Sequence, residues 1–555
     1  MNPQRRSFIR KIAYVVAVAL LLLPLSWLSR PATTQEAGGK LAELRKQHGL
    51  SQASLGEIDP TSETIKLATL GMRGVAANVL WVKANNYRMK EDWTNLSATL
   101  EQITKLQPNF STVWIHQGWN LAYNISVEFD NYRDRYYWVM RGINFLKEGI
   151  GYNTGEPRLV WELGWTLGNK IGRADERVLY RKMFVNDDDF HNADNPNRDR
   201  RDRDNWLVSR EKFLTVIDMV QQGKSMRNKP PVLYYSDPAM MQFNYAEALQ
   251  EEGNFTDRAQ TAWKNAARNW NEFGDRDVAT SFNVAIRLND EERYRKRAFA
   301  ASEKLASFLP KNVDVGKQIW DQRVAQLEPE ERELVKMPVD QLTSEEKSEA
   351  AALGEKLRVT PTDLAASVRS KDRAAALRAA DEAVTAARIA DIIGSYREQI
   401  NFRYWLMRGQ FEQSSDGLAA RKLIYEAEQA FKKSQLTQAH KLYDQGLAKW
   451  RSVIDRHPET LDHAIMVEDL VEIIDGYRKI LHQEDSEFPK QFVLADVLEK
   501  DKVFRPLMQM SETTPATDEK RSPVAAPAPE SEKPQAEKPQ TSSEPAPKEP
   551  ASAEK

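Results

Sequence analysis

Between residues 186 and 206 the chain reads NDDDFHNADNPNRDRRDRDNW, which crowds Asp187, Asp188, Asp189, His191 and Asp194 into a few positions. Carboxylates and an imidazole at such density could hold a hard divalent cation through oxygen ligands. Asp187, Asp189 and His191 are the candidates. The spacing lacks the glycine and terminal glutamate of an EF-hand loop, however, and Arg198, Arg200, Arg201 and Arg203 can neutralise the acids instead. No HExxH, Walker, GxSxG or dinucleotide glycine pattern occurs, and none of the seven histidines sits beside a carboxylate cluster at i,i+4 spacing. With no cysteine, thiol nucleophiles, disulfides and Cys-ligated zinc are excluded. The chain reads as a non-enzyme without a cofactor; the alternative is a metal-dependent enzyme using the 186–206 loop.

The second constellation is aromatic. Seven of the 14 tryptophans lie between 81 and 165, and the pair Gly118-Trp119 returns 46 positions later as Gly164-Trp165. Each pair sits inside a helical pattern, where glycine costs about 1 kcal/mol relative to alanine. A close contact that needs the missing side chain would justify it.

The elements that must position these residues are helices. Apolar residues recur with helical periodicity nearly throughout, and no convincing run of alternating strand pattern appears. Asp59-Pro60 and Thr360-Pro361-Thr362-Asp363 place a cap, a first-turn proline and an acid where a helix begins. With Ala77 as position 1 of a 34-residue unit, Leu80, Ala84, Tyr87, Trp93, Leu96, Leu100, Ile103 and Pro108 take positions 4, 8, 11, 17, 20, 24, 27 and 32. A second opening at Ser111 puts Trp114, Gly118 and Leu121 at positions 4, 8 and 11, and a third at Pro157 puts Gly164 at position 8. Ala246 and Gly253 keep the register in YAEALQEEGNF, as do Ala427, Ala439 and Tyr443 near the end. On these residues the chain resembles the tetratricopeptide repeat family.

That resemblance implies an all-α, TPR-like α-solenoid. Gly118 and Gly164 would be packing residues where helix A meets helix B, and Trp93 and Trp114 would be core. Helix A residues at positions 2, 5, 9 and 12 would line a concave groove: Asn78, Trp81, Asn85 and Arg88, then Trp119, then Trp161 and Trp165. Indoles and amides together suit an extended peptide of a partner protein. The alternative is that the rings pack against the chain's own insertions.

The domains follow as 59–172 TPR-like repeats, 173–237 an irregular insertion, 238–289 a TPR-like unit, 290–395 long charged helices forming a coiled-coil-like spacer, and 396–504 a C-terminal TPR-like region. The last segment, 505–555, is proline-rich without aromatics and cannot bury enough surface to order itself. At the other end, Arg5, Arg6, Arg10 and Lys11 precede the uncharged run 12–28, which predicts a single signal-anchor helix within residues 1–30, with a cleaved signal peptide as the alternative, followed by a linker at 31–58. The expected location is a bacterial cell membrane with the bulk of the chain outside the cytoplasm. Lys+Arg 79 against Asp+Glu 81 leaves no cationic excess, so nucleic acid is not an expected partner. The expected function is a membrane-anchored scaffold or adaptor that binds a protein, with a purely structural spacer as a further alternative.

Overall fold

The computed structural model describes residues 73–513, except 228, 339 and 340, and scattered positions between 12 and 44. The expected anchor at 12–28 and linker at 31–58 fall only in part within the described residues, and 514–555 falls outside them. Among the described residues no helix is long and apolar enough to cross a membrane. The fold is mostly helical, and the one sheet among the described residues is an antiparallel hairpin of two-residue strands, β1 Val278–Ala279 with β2 Ala285–Ile286.

Helices stack mainly on their chain neighbours. α1 (Arg73–Met89) pairs with α2 (Trp93–Leu106), and α3 (Ser111–Trp119) pairs with α4 (Tyr132–Tyr152). α5 (Pro157–Trp165) packs on α4, but its own partner is delayed: the chain first makes α6 (Arg177–Val185) and α7 (Asp188–Asp194), then returns as α8 (Asn205–Gln221) to lie along α5. Next come α9 (Pro231–Glu251) and α10 (Asp257–Gly274), so the helical pair of this unit starts at Pro231 rather than 238. Gly253, with φ of 79°, turns the chain between them; only glycine adopts that conformation without strain.

The packing explains the glycines. A Cβ at Gly118 would lie 2.6 Å from Leu146 Cγ of α4, and one at Gly149 would lie 2.6 Å from Trp114 Cγ. Bulk and absence of bulk thus alternate across one helix contact. Trp114 is completely buried, stacks on Tyr152 at 5.7 Å and donates its indole N–H to Pro108 O at 2.9 Å. The other register residues Leu80, Ala84, Leu121, Ala246, Ala427, Ala439 and Tyr443 are buried too, whereas Tyr87 and Trp93 are only partly covered.

Residues 290–395 hold two long helices, 16 and 30 residues, joined by shorter ones. Three caps cut the sequence into short pieces: Glu328 with Glu331, Thr343 with Glu346, and Thr360 with Asp363 each start a new helix. Between α11 (Glu291–Ala306) and the long α16 (Ser370–Gln399) lie α12 (Val315–Ala325), α13 (Pro329–Lys336), α14 (Ser344–Leu357) and α15 (Pro361–Ala366). α11 and α16 run antiparallel, tied by Arg297 to Glu382 and, at the base, by buried Glu291, which accepts from Arg295, Arg397 and Arg403. The whole segment is a side arm, because the chain re-enters at α17 (Phe402–Glu412) directly on α10, where Trp270 donates to Phe402 O at 3.0 Å.

The C-terminal part holds α18 (Ser415–Lys432), α19 (Leu436–Arg456), α20 (Ala464–Gln483) and α21 (Ala495–Thr513). α21 runs past residue 505, where the tail was expected to begin.

Candidate functional site

The two Gly-Trp helices share one further feature. α3 is followed by a π-turn at Asn120–Asn124, and α5 by a π-turn at Thr166–Lys170, so each π-turn begins directly after its tryptophan and in the same 46-residue register. A π-turn frees backbone carbonyls from the α ladder, and such turns gather at functional sites. Side chains supply the missing donors: Ser126 Oγ donates to Ala122 O at 2.6 Å, and Asn205 Nδ2 donates to Leu167 O and Gly168 O, both at 3.1 Å.

Tyr123 and Lys170, inside the two turns, join residues of α1, α3 and α5 in an aromatic and charged face. Trp81 of α1 meets His116 of α3 edge-on at 6.4 Å. Partial burial, with the charge of Arg88, holds the His116 imidazole below its usual range. Trp119 is 40% exposed and stacks on Tyr123 at 5.8 Å and 18°. Lys170 of the second π-turn then places its ammonium 5.1 Å from the Tyr123 ring. Burial lowers the Lys170 pKa, and burial followed by the nearby Glu162 raises that of Tyr123. Cation–π contact between two such groups gains strength as water is excluded.

At the far end of the face, Trp165 stacks on Trp161 at 5.3 Å and 15°. Trp161 is only 4% exposed: its indole donates to Asp237 Oδ2 at 2.6 Å, and the Lys229 ammonium lies 3.2 Å over its ring. Burial pushes the Asp237 carboxyl up to about 6, against the opposing pull of the indole bond and of Lys229. Trp161 is therefore closed over by the chain's own 229–237 segment and is not open groove surface. Asn78, Asn85 and Arg88 are exposed on α1, Trp81 and Trp165 are half-buried, and no ring contact joins Trp119 to Trp165 among the described residues.

His116, Tyr123, Glu162, Lys170, Lys229 and Asp237 belong to this face and were not anticipated. Tyr123 stands four residues after Trp119, one helical turn on, so its place was open to sequence reasoning. Lys229 and Asp237 come from beyond the insertion, and nothing local to the repeats points to them.

Most acids of the 186–206 loop are engaged by neighbouring side chains or caps. Asp187 caps α7 through Phe190 N, Asp188 pairs with Arg203, and Asp194 pairs with Arg198 and Lys212 at 2.7 and 2.9 Å. His191 is buried, with its ring nitrogens against Phe184 O and the Arg198 guanidinium. Burial lowers its pKa, and Asp189 stays exposed. Among the described residues no three His, Asp or Glu side chains gather to hold a metal ion.

Comparison with family models, with curated proteins and with solved structures gives no match to the chain.

Proposed function

We propose that the protein is a non-catalytic TPR-like adaptor, anchored in a bacterial cell membrane through residues 12–28, that captures an extended segment of a partner protein on its aromatic face. The observation that carries this reading is Trp119, an indole held flat by its stack on Tyr123 yet 40% exposed, on the helix whose His116 meets Trp81 of α1 edge-on. A rigid, half-open ring offers a partner much contact area for few frozen torsions. The successive helical pairs and the paired glycine contacts support the solenoid part of the reading.

The test is photo-crosslinking from position 119 in intact cells, followed by binding measurements with the crosslinked segment. Trp119→Ala should weaken capture roughly 30-fold, the equivalent of about 2 kcal/mol. Capture that survives this substitution unchanged would remove the aromatic face from the function.

A further inference from the structure

The loop that reads as acidic turns a cationic side toward the rest of the fold. Between one face of α6, residues 199–204, the C-terminal end of α9 and the first turn of α10 lies an open cavity of about 650 Å³. Val178, Val185 and Leu249 contribute its apolar lining. Lys182, Arg200, Arg201 and Arg258 contribute cations, and none of these four has a carboxylate within ion-pair distance among the described residues. Arg200 reaches only the neutral Asn186 Oδ1 at 2.6 Å, and Arg258 only the Tyr245 hydroxyl at 2.9 Å and the Arg201 carbonyl.

The carboxylates of the lining are already engaged. Asp204 and Glu252 bracket buried Arg181 at 2.7 and 2.6 Å, and Asp199 accepts the Arg201 backbone N–H at 2.8 Å. Five cations therefore face three carboxylates, a formal +2 in a concavity whose low-dielectric walls concentrate the field. The volume falls within the roughly 300–1,000 Å³ typical of ligand sites.

We propose that this cavity is a second binding site, which takes an acidic peptide segment: carboxylates on the guanidinium and ammonium groups, and a small aliphatic side chain against Val178, Val185 and Leu249. Guanidinium groups match carboxylates in a planar fork, which favours this pairing over a point-charge contact. A bare inorganic anion would satisfy the cations but leave the apolar lining uncovered. None of the four cations belongs to the aromatic face, so failure here leaves the adaptor reading standing.

The experiment is fluorescence anisotropy of a labelled peptide of alternating glutamate and valine, titrated with the full-length protein at low and high salt. The double variant Lys182→Glu/Arg201→Glu should weaken binding at least about tenfold. Neither side chain makes a hydrogen bond or ion pair, so the melting temperature should hold, and Lys182→Gln/Arg201→Gln supplies a milder version of the same test. Arg268→Glu/Lys296→Glu makes the same charge change on remote exposed positions and should leave binding unaltered. Three results would overturn the proposal: no peptide binding, equal loss in both charge-reversed variants, or binding of inorganic phosphate at this cavity without binding of the peptide.

Discussion

The helices α3 and α5 begin from the same local instructions and end in different surroundings. Both carry Gly-Trp, both widen into a π-turn immediately after the tryptophan, and both use the glycine as a contact point for a second helix. In α3 the residue four before the tryptophan is Ile115, so Trp119 stacks forward on Tyr123 and remains open. In α5 the residue four before is Trp161, so Trp165 stacks backward on it, and Asp237 and Lys229 close over the pair. One motif thus yields an available indole at one end of the face and a pinned pair at the other. The difference lies in the neighbours four residues away and in what the next unit brings across.

The comparison can be broken most forcefully at the two tryptophans of α3. Trp114→Ala should cost about 3 to 5 kcal/mol, because a fully buried indole leaves a cavity that α4 cannot fill. Trp119→Ala should cost less than about 1 kcal/mol of stability, since the ring is partly solvated and loses one stack. Chemical denaturation of both variants checks this. Equal losses would make Trp119 a core residue and remove the distinction between the open and closed ends.

A smaller effect separates the two glycines. Gly118→Leu should destabilise by about 1 to 3 kcal/mol or more through overpacking, and Gly164→Leu by less. The reason is clearance: a Cβ at Gly118 meets Leu146 Cγ at 2.6 Å, whereas one at Gly164 meets Lys212 Cβ and Phe213 at 3.2 Å. Thermal melts that rank the two variants in the opposite order would contradict the contact geometry.

The smallest effect belongs to the pinned pair and depends on pH. Asp237 has a folded pKa of about 6, above the ordinary aspartate value of about 3.9. The native state therefore holds more protons than the unfolded state across that interval. Its contribution to stability falls as pH rises from about 4 to about 6, by on the order of 1 to 2 kcal/mol for a partly exposed carboxyl. Asp237→Asn keeps an acceptor for the Trp161 indole and should flatten this slope. Stability curves for the two proteins that run parallel from pH 4 to 7 would show that Asp237 is not strained by burial.

Much of the scaffold was legible along the chain because its causes are local. Helical periodicity marks the elements, and the resemblance to the 34-residue repeat implies packing roles for Trp114, Gly118, Ala246, Ala427 and Tyr443, which are buried or in close helix contact. The arm is less legible in detail: its composition is uniformly charged and alanine-rich, while the breaks between its helices depend on individual caps such as Thr343 with Glu346. Trp93, which the register places in the core, is only partly covered.

What the sequence by itself determined is the helical class, the contact glycines and the repeated Gly-Trp helix, because periodicity and side-chain size act within a few residues of their own position. Tertiary structure alone decided which indole stays open, since Lys229 and Asp237 are brought to Trp161 by the packing of α8 along α5 and of α9 on α8. It also decided the sign of the 186–206 loop. Acids and arginines are mixed there in sequence, and only the fold engages Asp188, Asp194 and Asp204 with other cations and leaves Arg200 and Arg201 facing a cavity. Burial and charge pairing are properties of neighbours in space, and spacing along the chain does not specify them.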